Sequence, residues 1–182
     1  MQALIVIDAQ NEFSIDGKRP VPGHADILST ILFQVREART QGRPIAWVRH
    51  HNRPEESPAF LPGTWGAEFS PGCGPQETAS PEKEFQKMVY GAFTGSNIGA
   101  WLDEQKVDAV LIVGFYTHGC VSTTAREAIM RGLDVVLDLH ATGACEMNDP
   151  VLGALAAAEV RRTALLQLAH MGATVIDSSS GK

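Results

Sequence analysis

Three side chains in this chain could do chemistry together: Cys120, Asp8 and Lys87. Cys120 lies beyond the apolar run Ala109 to Val113, just after Gly119, where a helix should begin. The reactive form of a thiol is its anion, and with an ordinary pKa of about 8.5 only a few per cent is ionised at neutral pH. A helix N-terminus and a nearby ammonium both favour the anion. A fall of about two units would raise the thiolate fraction roughly twentyfold. Asp8 ends the run Leu4-Ile5-Val6-Ile7 abruptly. A carboxylate at the edge of a core must be paired or face a polar cleft. Lys87 sits in a short third strand. Each also has a plain structural reading: a packed core cysteine, a loop-ordering aspartate, a solvated surface lysine.

Other candidates are weaker. Cys73, in Pro-Gly-Cys-Gly-Pro, has no helix to activate it, and Cys145 lies in a loop after a strand, with a place near a pocket left open. His50 and His51 with Glu55 could suggest a metal, but the usual ligand spacings are not evident there, so no metal is expected. No glycine pattern makes a phosphate-binding fingerprint, and no organic cofactor is expected.

These residues need elements to position them. Ala3 to Ile7, Pro44 to Val48, Gln86 to Val89, Ala109 to Val113, Val135 to Asp138 and Ala173 to Ile176 read as strands. Helices are expected from Ala25 to Arg39, from Thr94 to Gln105 with Thr94 or Ser96 as cap, and from about Cys120 to Met130. Asp149 and Pro150 read as N-cap and first residue of a last helix reaching His170. Strands alternating with helices predict an α/β fold: one domain over residues 1–182, three layers α/β/α, doubly wound about a mainly parallel sheet of about six strands in the order 3-2-1-4-5-6. In such sheets ligands bind beyond the carboxyl ends of the strands. All three reactive residues fall at or near those ends. Residues 50–84 break the pattern as an irregular insert rich in Pro and Gly, a candidate lid or subunit contact. Residues 178–182 read as a loose tail.

Composition narrows the class. The chain has 182 residues, 44% hydrophobic and 20% charged, which suits one soluble globular domain. A net charge of −6 argues against nucleic acid and anionic membranes as partners. No apolar run approaches the roughly 18 residues of a membrane span, and no signal peptide is evident. Three widely spaced cysteines do not make a disulfide framework. A cytoplasmic protein with a small-molecule substrate is the simplest expectation.

Three segments, in order and at sensible spacing, carry a resemblance. Ala3-Leu4-Ile5-Val6-Ile7-Asp8-Ala9-Gln10-Asn11-Glu12-Phe13, Lys87-Met88-Val89-Tyr90-Gly91-Ala92-Phe93 and Gly114-Phe115-Tyr116-Thr117-His118-Gly119-Cys120-Val121 resemble the isochorismatase-like cysteine hydrolases. The continuation Thr123 to Ala128 and the strand ending in Asp138 extend the likeness over nearly the whole chain. The resemblance implies a catalytic triad of Asp8, Lys87 and Cys120. It implies a cis peptide between Phe115 and Tyr116, and an oxyanion hole from the backbone N–H groups of Tyr116 and Cys120. It implies hydrolysis of a small amide or ureido C–N bond through a thioester, and a homodimer or homotetramer.

Cys120 bears on which branch applies. Vinyl-ether hydrolases of the superfamily need no thiol and commonly have Gly at this position, so Cys120 favours C–N hydrolysis. Metal-dependent nicotinamidases carry an Asp-x-His cluster after the second strand, whereas this chain has Val48-Arg49-His50-His51-Asn52. Phe13, Trp65 and Tyr116 are candidates for the pocket wall, and Arg49 or Arg53 for pairing a substrate carboxylate. The alternatives are a vinyl-ether hydrolase, or a non-catalytic thiol redox or binding protein of the same fold.

Overall fold

The computed structural model describes residues 1–178. In chain order the elements are β1 (Gln2–Ile7), α1 (His24–Thr40), β2 (Ile45–His50), β3 (Glu82–Lys87), α2 (Ala92–Gly95), α3 (Ile98–Glu104), β4 (Ala109–Phe115), α4 (Ser122–Met130), β5 (Asp134–Gly143), β6 (Met147–Asp149), β7 (Gly153–Leu155), α5 (Ala157–His170) and β8 (Thr174–Ile176). Six of the strands form one sheet in the order β3-β2-β1-β4-β5-β8, every pairing parallel. This is the expected order, with β8 as the sixth strand of the sheet. The strands β6 and β7 form a separate antiparallel hairpin.

The central strands are apolar on both faces because both faces are covered. Successive strand residues point to opposite sides. Ala3, Ile5 and Ile7 of β1, with Val110 and Ile112 of β4, join a core closed by Trp101, Leu102, Val121, Ala125, Leu165 and Leu168. Leu4 and Val6, with Leu111 and Val113, join a second core closed by Ile27, Ile31 and Val35 of α1. One sheet face thus carries α3, α4 and α5, and the other carries α1.

Three expected elements differ. The third strand is Glu82–Lys87, earlier than Gln86 to Val89. As an edge strand it has one apolar residue, Phe85, among charged and polar ones, so it lacks the continuous apolar run that marks a buried strand. The helix expected over Thr94 to Gln105 is two helices, α2 and α3, broken at Ser96 and Asn97. Ser96 Oγ accepts from Ile98 N at 3.2 Å and donates to Ala92 O at 2.9 Å, which suits the start of a new helix. The last helix starts at Ala157, not at Pro150. Asp149 does accept backbone N–H bonds, from Val151 at 2.8 Å and Leu152 at 2.9 Å, but it does so in the turn joining β6 to β7. The same aspartate chemistry serves a cap or a turn, and Gly153 in the left-handed region (φ 81°) reverses the chain.

The 50–84 segment is packed, not loose. Asn11 N donates to Glu68 O (2.9 Å) and Ser70 N to Ala9 O (2.8 Å). Ala59, Phe60, Ala67 and Ser70 are buried. The segment therefore walls the end of β1. Of the tail expected at 178–182, Ser178 alone falls within the described residues.

Candidate active site

Each of the three reactive residues is delivered by a different strand end. Asp8 follows β1 and turns the chain in the left-handed region, φ 51°, where a residue with a Cβ is uncommon. Its N–H donates to Val48 O (2.9 Å) and its carbonyl accepts from Gln10 N (2.7 Å), which hold that conformation. Lys87 is the last residue of β3 and pairs in register with His50, the last of β2. Residues paired in register share a sheet face, so the lysine side chain runs past His50 toward Asp8. Cys120 lies in the tight turn Thr117–Val121 between β4 and α4. Tyr116 O closes this turn by accepting from Gly119 N (3.0 Å) and Val121 N (3.2 Å). Thr142 ties it to β4 and β5: its hydroxyl donates to Gly114 O (2.8 Å) and bonds the Thr117 hydroxyl (2.9 Å). The peptide joining Phe115 to Tyr116 is cis.

The three side chains meet at the Lys87 ammonium. Nζ donates to Asp8 Oδ2 at 2.8 Å, to Cys120 Sγ at 3.2 Å and to His50 Nδ1 at 3.2 Å. Asp8 and Lys87 are each 1% exposed and Cys120 is 9% exposed. Burial alone would lower the lysine pKa, but the Asp8 carboxylate and the Cys120 sulfur outweigh it and raise it, so the ammonium stays charged. Burial and then the Asp8 charge push the Cys120 thiol up, and the opposing pull of Lys87 is smaller. Burial and a facing carboxylate thus outweigh the ammonium. The resting form is the thiol.

A cleft of about 440 Å³ opens over this centre. Phe13, Phe60 and Tyr116 form an aromatic wall; Phe13 lies 5.1 Å from Phe60 and 4.8 Å from Tyr116 between ring centroids. Met88, Val89 and Tyr90 make an exposed apolar rim, and Arg19 and Glu56 add one charge of each sign. A second cavity of about 490 Å³, lined by Asp26, His140 and Arg161 among others, holds none of the three reactive residues.

Phe13 and Tyr116 line the cleft, whereas Trp65 does not. Trp65 is half exposed, and its carbonyl accepts from Asn11 Nδ2 at 3.0 Å. Arg49 pairs with Glu84 at 3.2 Å and lies over the Phe69 ring at 4.2 Å, outside the cleft lining. Arg53 is exposed and also outside it. Cys73 packs in the second core, where burial raises its thiol pKa to about 12. The Tyr116 hydroxyl donates to Arg19 O at 3.0 Å, with Cys145 beside it at the edge of the aromatic wall. Arg19, Asn52 and the Met88–Tyr90 rim carry no signal of a site in the sequence, and His50, weighed there only as a metal ligand, stands beside Lys87. Met88 and Val89 of that rim lie inside the strand expected over Gln86 to Val89.

The donor atoms of Asp8, His50 and Cys120 lie within 4.8 Å of one another, a set that can suit a divalent ion. The Lys87 ammonium sits among them. With the lysine seated there the residues do not fit a resident metal. Among the described residues no helix is long and apolar enough to cross a membrane.

Residues 2–180 match the isochorismatase domain family. The chain is 30% identical to a secreted isochorismatase effector of Verticillium dahliae over 96% of this chain and 87% of that one. It is 31% identical to a nicotinamidase/pyrazinamidase of Mycobacterium tuberculosis, covering 92% and 98%. The crystal structure of an isochorismatase from Pseudomonas putida superposes with a TM-score of 0.89 at 28% identity, over 98% of this chain and 89% of that one. Fold, strand-end placement of the reactive residues and these likenesses agree: the chain belongs to the isochorismatase family of hydrolases.

Proposed function

We propose that the protein is a cysteine-dependent hydrolase that cleaves the C–N bond of a small amide or ureido compound. The observation that carries this reading is the Lys87 ammonium bonded at once to Asp8 (2.8 Å) and Cys120 (3.2 Å) on the floor of the cleft. A resting thiol needs a base, and Asp8 is the carboxylate within reach. Asp8 takes the proton from Cys120, and the sulfur attacks the substrate carbonyl carbon. The resulting oxyanion is met by the backbone N–H groups of Tyr116 and Cys120; one such donor is typically worth about 2.7–4 kcal/mol of barrier. Asp8 then passes its proton to the departing nitrogen, and ammonia or an amine leaves. Asp8 next takes a proton from water, the hydroxide attacks the thioester carbonyl, and the C–S bond breaks. The carboxylic product departs and Cys120 recovers its proton. Lys87 holds the charge balance throughout. The nicotinamidase/pyrazinamidase relative supports an amide as substrate.

The redox-sensor reading is weaker on a specific ground. Sensor thiols are exposed and have a low pKa, whereas Cys120 is buried and its pKa is raised. Three free thiols suit a reducing compartment. The test is ammonia release from a panel of small primary amides and ureido compounds, comparing native protein with Cys120→Ala. Turnover of at least one compound, lost in the variant, supports the reading. A fully active Cys120→Ala overturns it.

A further inference from the structure

We propose that His50 is a positioning residue for Lys87: its Nδ1 takes the third ammonium proton, and a relay through Asn52 ties that bond to the wall of the cleft. The inference rests on the thiol-hydrolase reading for its catalytic consequence, but its geometry stands independently.

An ammonium has three N–H donors. Two of those on Lys87 serve Asp8 and Cys120, and the third goes to His50 Nδ1 at 3.2 Å. To accept, Nδ1 must be unprotonated, so the imidazole must be neutral with its proton on Nε2. The surroundings impose that tautomer. His50 Nε2 lies 2.8 Å from Asn52 Oδ1 and donates to it. The Asn52 amide cannot turn over freely, because its Nδ2 donates to Ala59 O at 3.1 Å. Burial, with the neighbouring Lys87 charge, pushes the imidazole pKa below its usual value, which agrees with a neutral ring.

The backbone of His50 is held as firmly. Gln10, fully buried, accepts from His50 N (2.8 Å) and donates to His50 O (2.9 Å) and Ala67 O (2.8 Å). The His50 ring meets Phe60 edge-on at 5.4 Å between centroids. Asn52 N donates to Phe60 O at 3.1 Å. Phe60 walls the cleft, and Glu56 lies on the same loop. One chain of bonds therefore runs from the Ala59–Phe60 wall through Asn52 and His50 to Lys87. Without the third acceptor the ammonium could swing toward the cleft, leaving both the thiol and the base less well placed.

Two measurements test this without knowing the substrate. The first is nitrogen NMR of the His50 ring in the native chain at neutral pH. The expected signature is a neutral ring protonated on Nε2, with an Nδ1 signal that moves toward the free-acceptor value in Lys87→Met. A ring protonated on Nδ1, an imidazolium, or an unmoved signal overturns the proposal. The second is the iodoacetamide alkylation rate of Cys120, resolved from Cys73 and Cys145 by peptide mapping. His50→Asn keeps an oxygen acceptor near the place of Nδ1, whereas His50→Leu removes it. His50→Leu should slow alkylation about tenfold or more, the scale for losing one hydrogen bond to a charged group, and His50→Asn should restore most of the rate. Equal rates in two folded variants overturn the positioning role, since a purely structural effect would not distinguish them by acceptor. Failure of either measurement leaves ammonia release by the native protein untouched, and absence of ammonia release leaves the NMR result standing.

Discussion

The carboxylate of Glu127 occupies the space that a Cβ on Gly91 would need. From α4, Glu127 accepts from Phe93 N (2.9 Å) and Thr94 N (3.1 Å), and Thr124 of the same helix accepts from Ala92 N (3.2 Å). The helix that follows Cys120 thus holds the segment that follows Lys87, and the Met88–Tyr90 rim lies between. Gly91→Ala should displace the Glu127 carboxylate and loosen that rim. We expect lower thermal stability and faster hydrogen exchange at Phe93 and Thr94, with Glu127→Gln showing a milder form of both. Unchanged exchange in Gly91→Ala would mean that the clamp does not hold the rim.

The Asp8–Lys87 pair should be costly to break from one side. Both side chains are at most 1% exposed, and removing one partner of a buried pair typically costs about 3–5 kcal/mol because the other charge is stranded. Urea unfolding of Lys87→Met should show a loss of that order. The double variant Asp8→Asn/Lys87→Met should lose less than the two single losses added together. Strict additivity would show that the pair does not act as a unit.

Acid should destabilise the fold in two stages. Burial lowers the pKa of His24, His50, His51 and His118. The unfolded chain then binds more protons once the pH falls below about 6.5. Their contribution is complete above that value and is lost as the pH falls toward the folded values. Glu82 follows: burial acts to raise its pKa, but its bonds from Arg39, Trp47, Thr78 and the Gln76 N–H outweigh this and hold it below the usual carboxylate value. Its contribution is present above about 4.5 and is lost as the pH falls through the lower folded value. Melting temperature measured from pH 8 to pH 3 should fall in both windows. A flat curve between pH 7 and pH 5 would contradict the histidine stage.

Gly114 is required by geometry. Its φ is 119°, and an added Cβ would overlap the Ile7 carbonyl of the neighbouring strand β1. Backbone cannot yield as a flexible side chain can. Gly114→Ala should therefore destabilise by more than the roughly 1 kcal/mol typical of point changes, and should move the turn that carries Cys120. Thermal melts and the Cys120 alkylation rate would both register it, and a native-like variant would show that the strands have room to part.

Much of the frame was legible along the chain. The continuous apolar runs of β1, β2 and β4 announce strands covered on both faces, and the helical spacing of Ile27, Ile31 and Val35 announces α1. Asp8 and Cys120 stand out because each follows such a run, and Lys87 because it lies within a recognisable segment. The edge strand β3 and the β6–β7 hairpin differ from expectation, since a mostly charged stretch and an aspartate before proline have more than one local solution.

What the sequence by itself determined is the order of elements and the identities of the reactive side chains, because hydrophobic periodicity and residue chemistry are local properties. Tertiary structure alone decided their electrical state and their company. Cys120 is a thiol because the fold buries it against Asp8, and pKa depends on desolvation and neighbours that adjacency in sequence does not reveal. His50 meets Lys87 because β2 and β3 pair in that register, and Asn52 fixes its tautomer because the loop returns to Ala59. These contacts join residues 37 positions apart between His50 and Lys87 and 79 apart between Asp8 and Lys87, distances over which only the sheet can set the geometry.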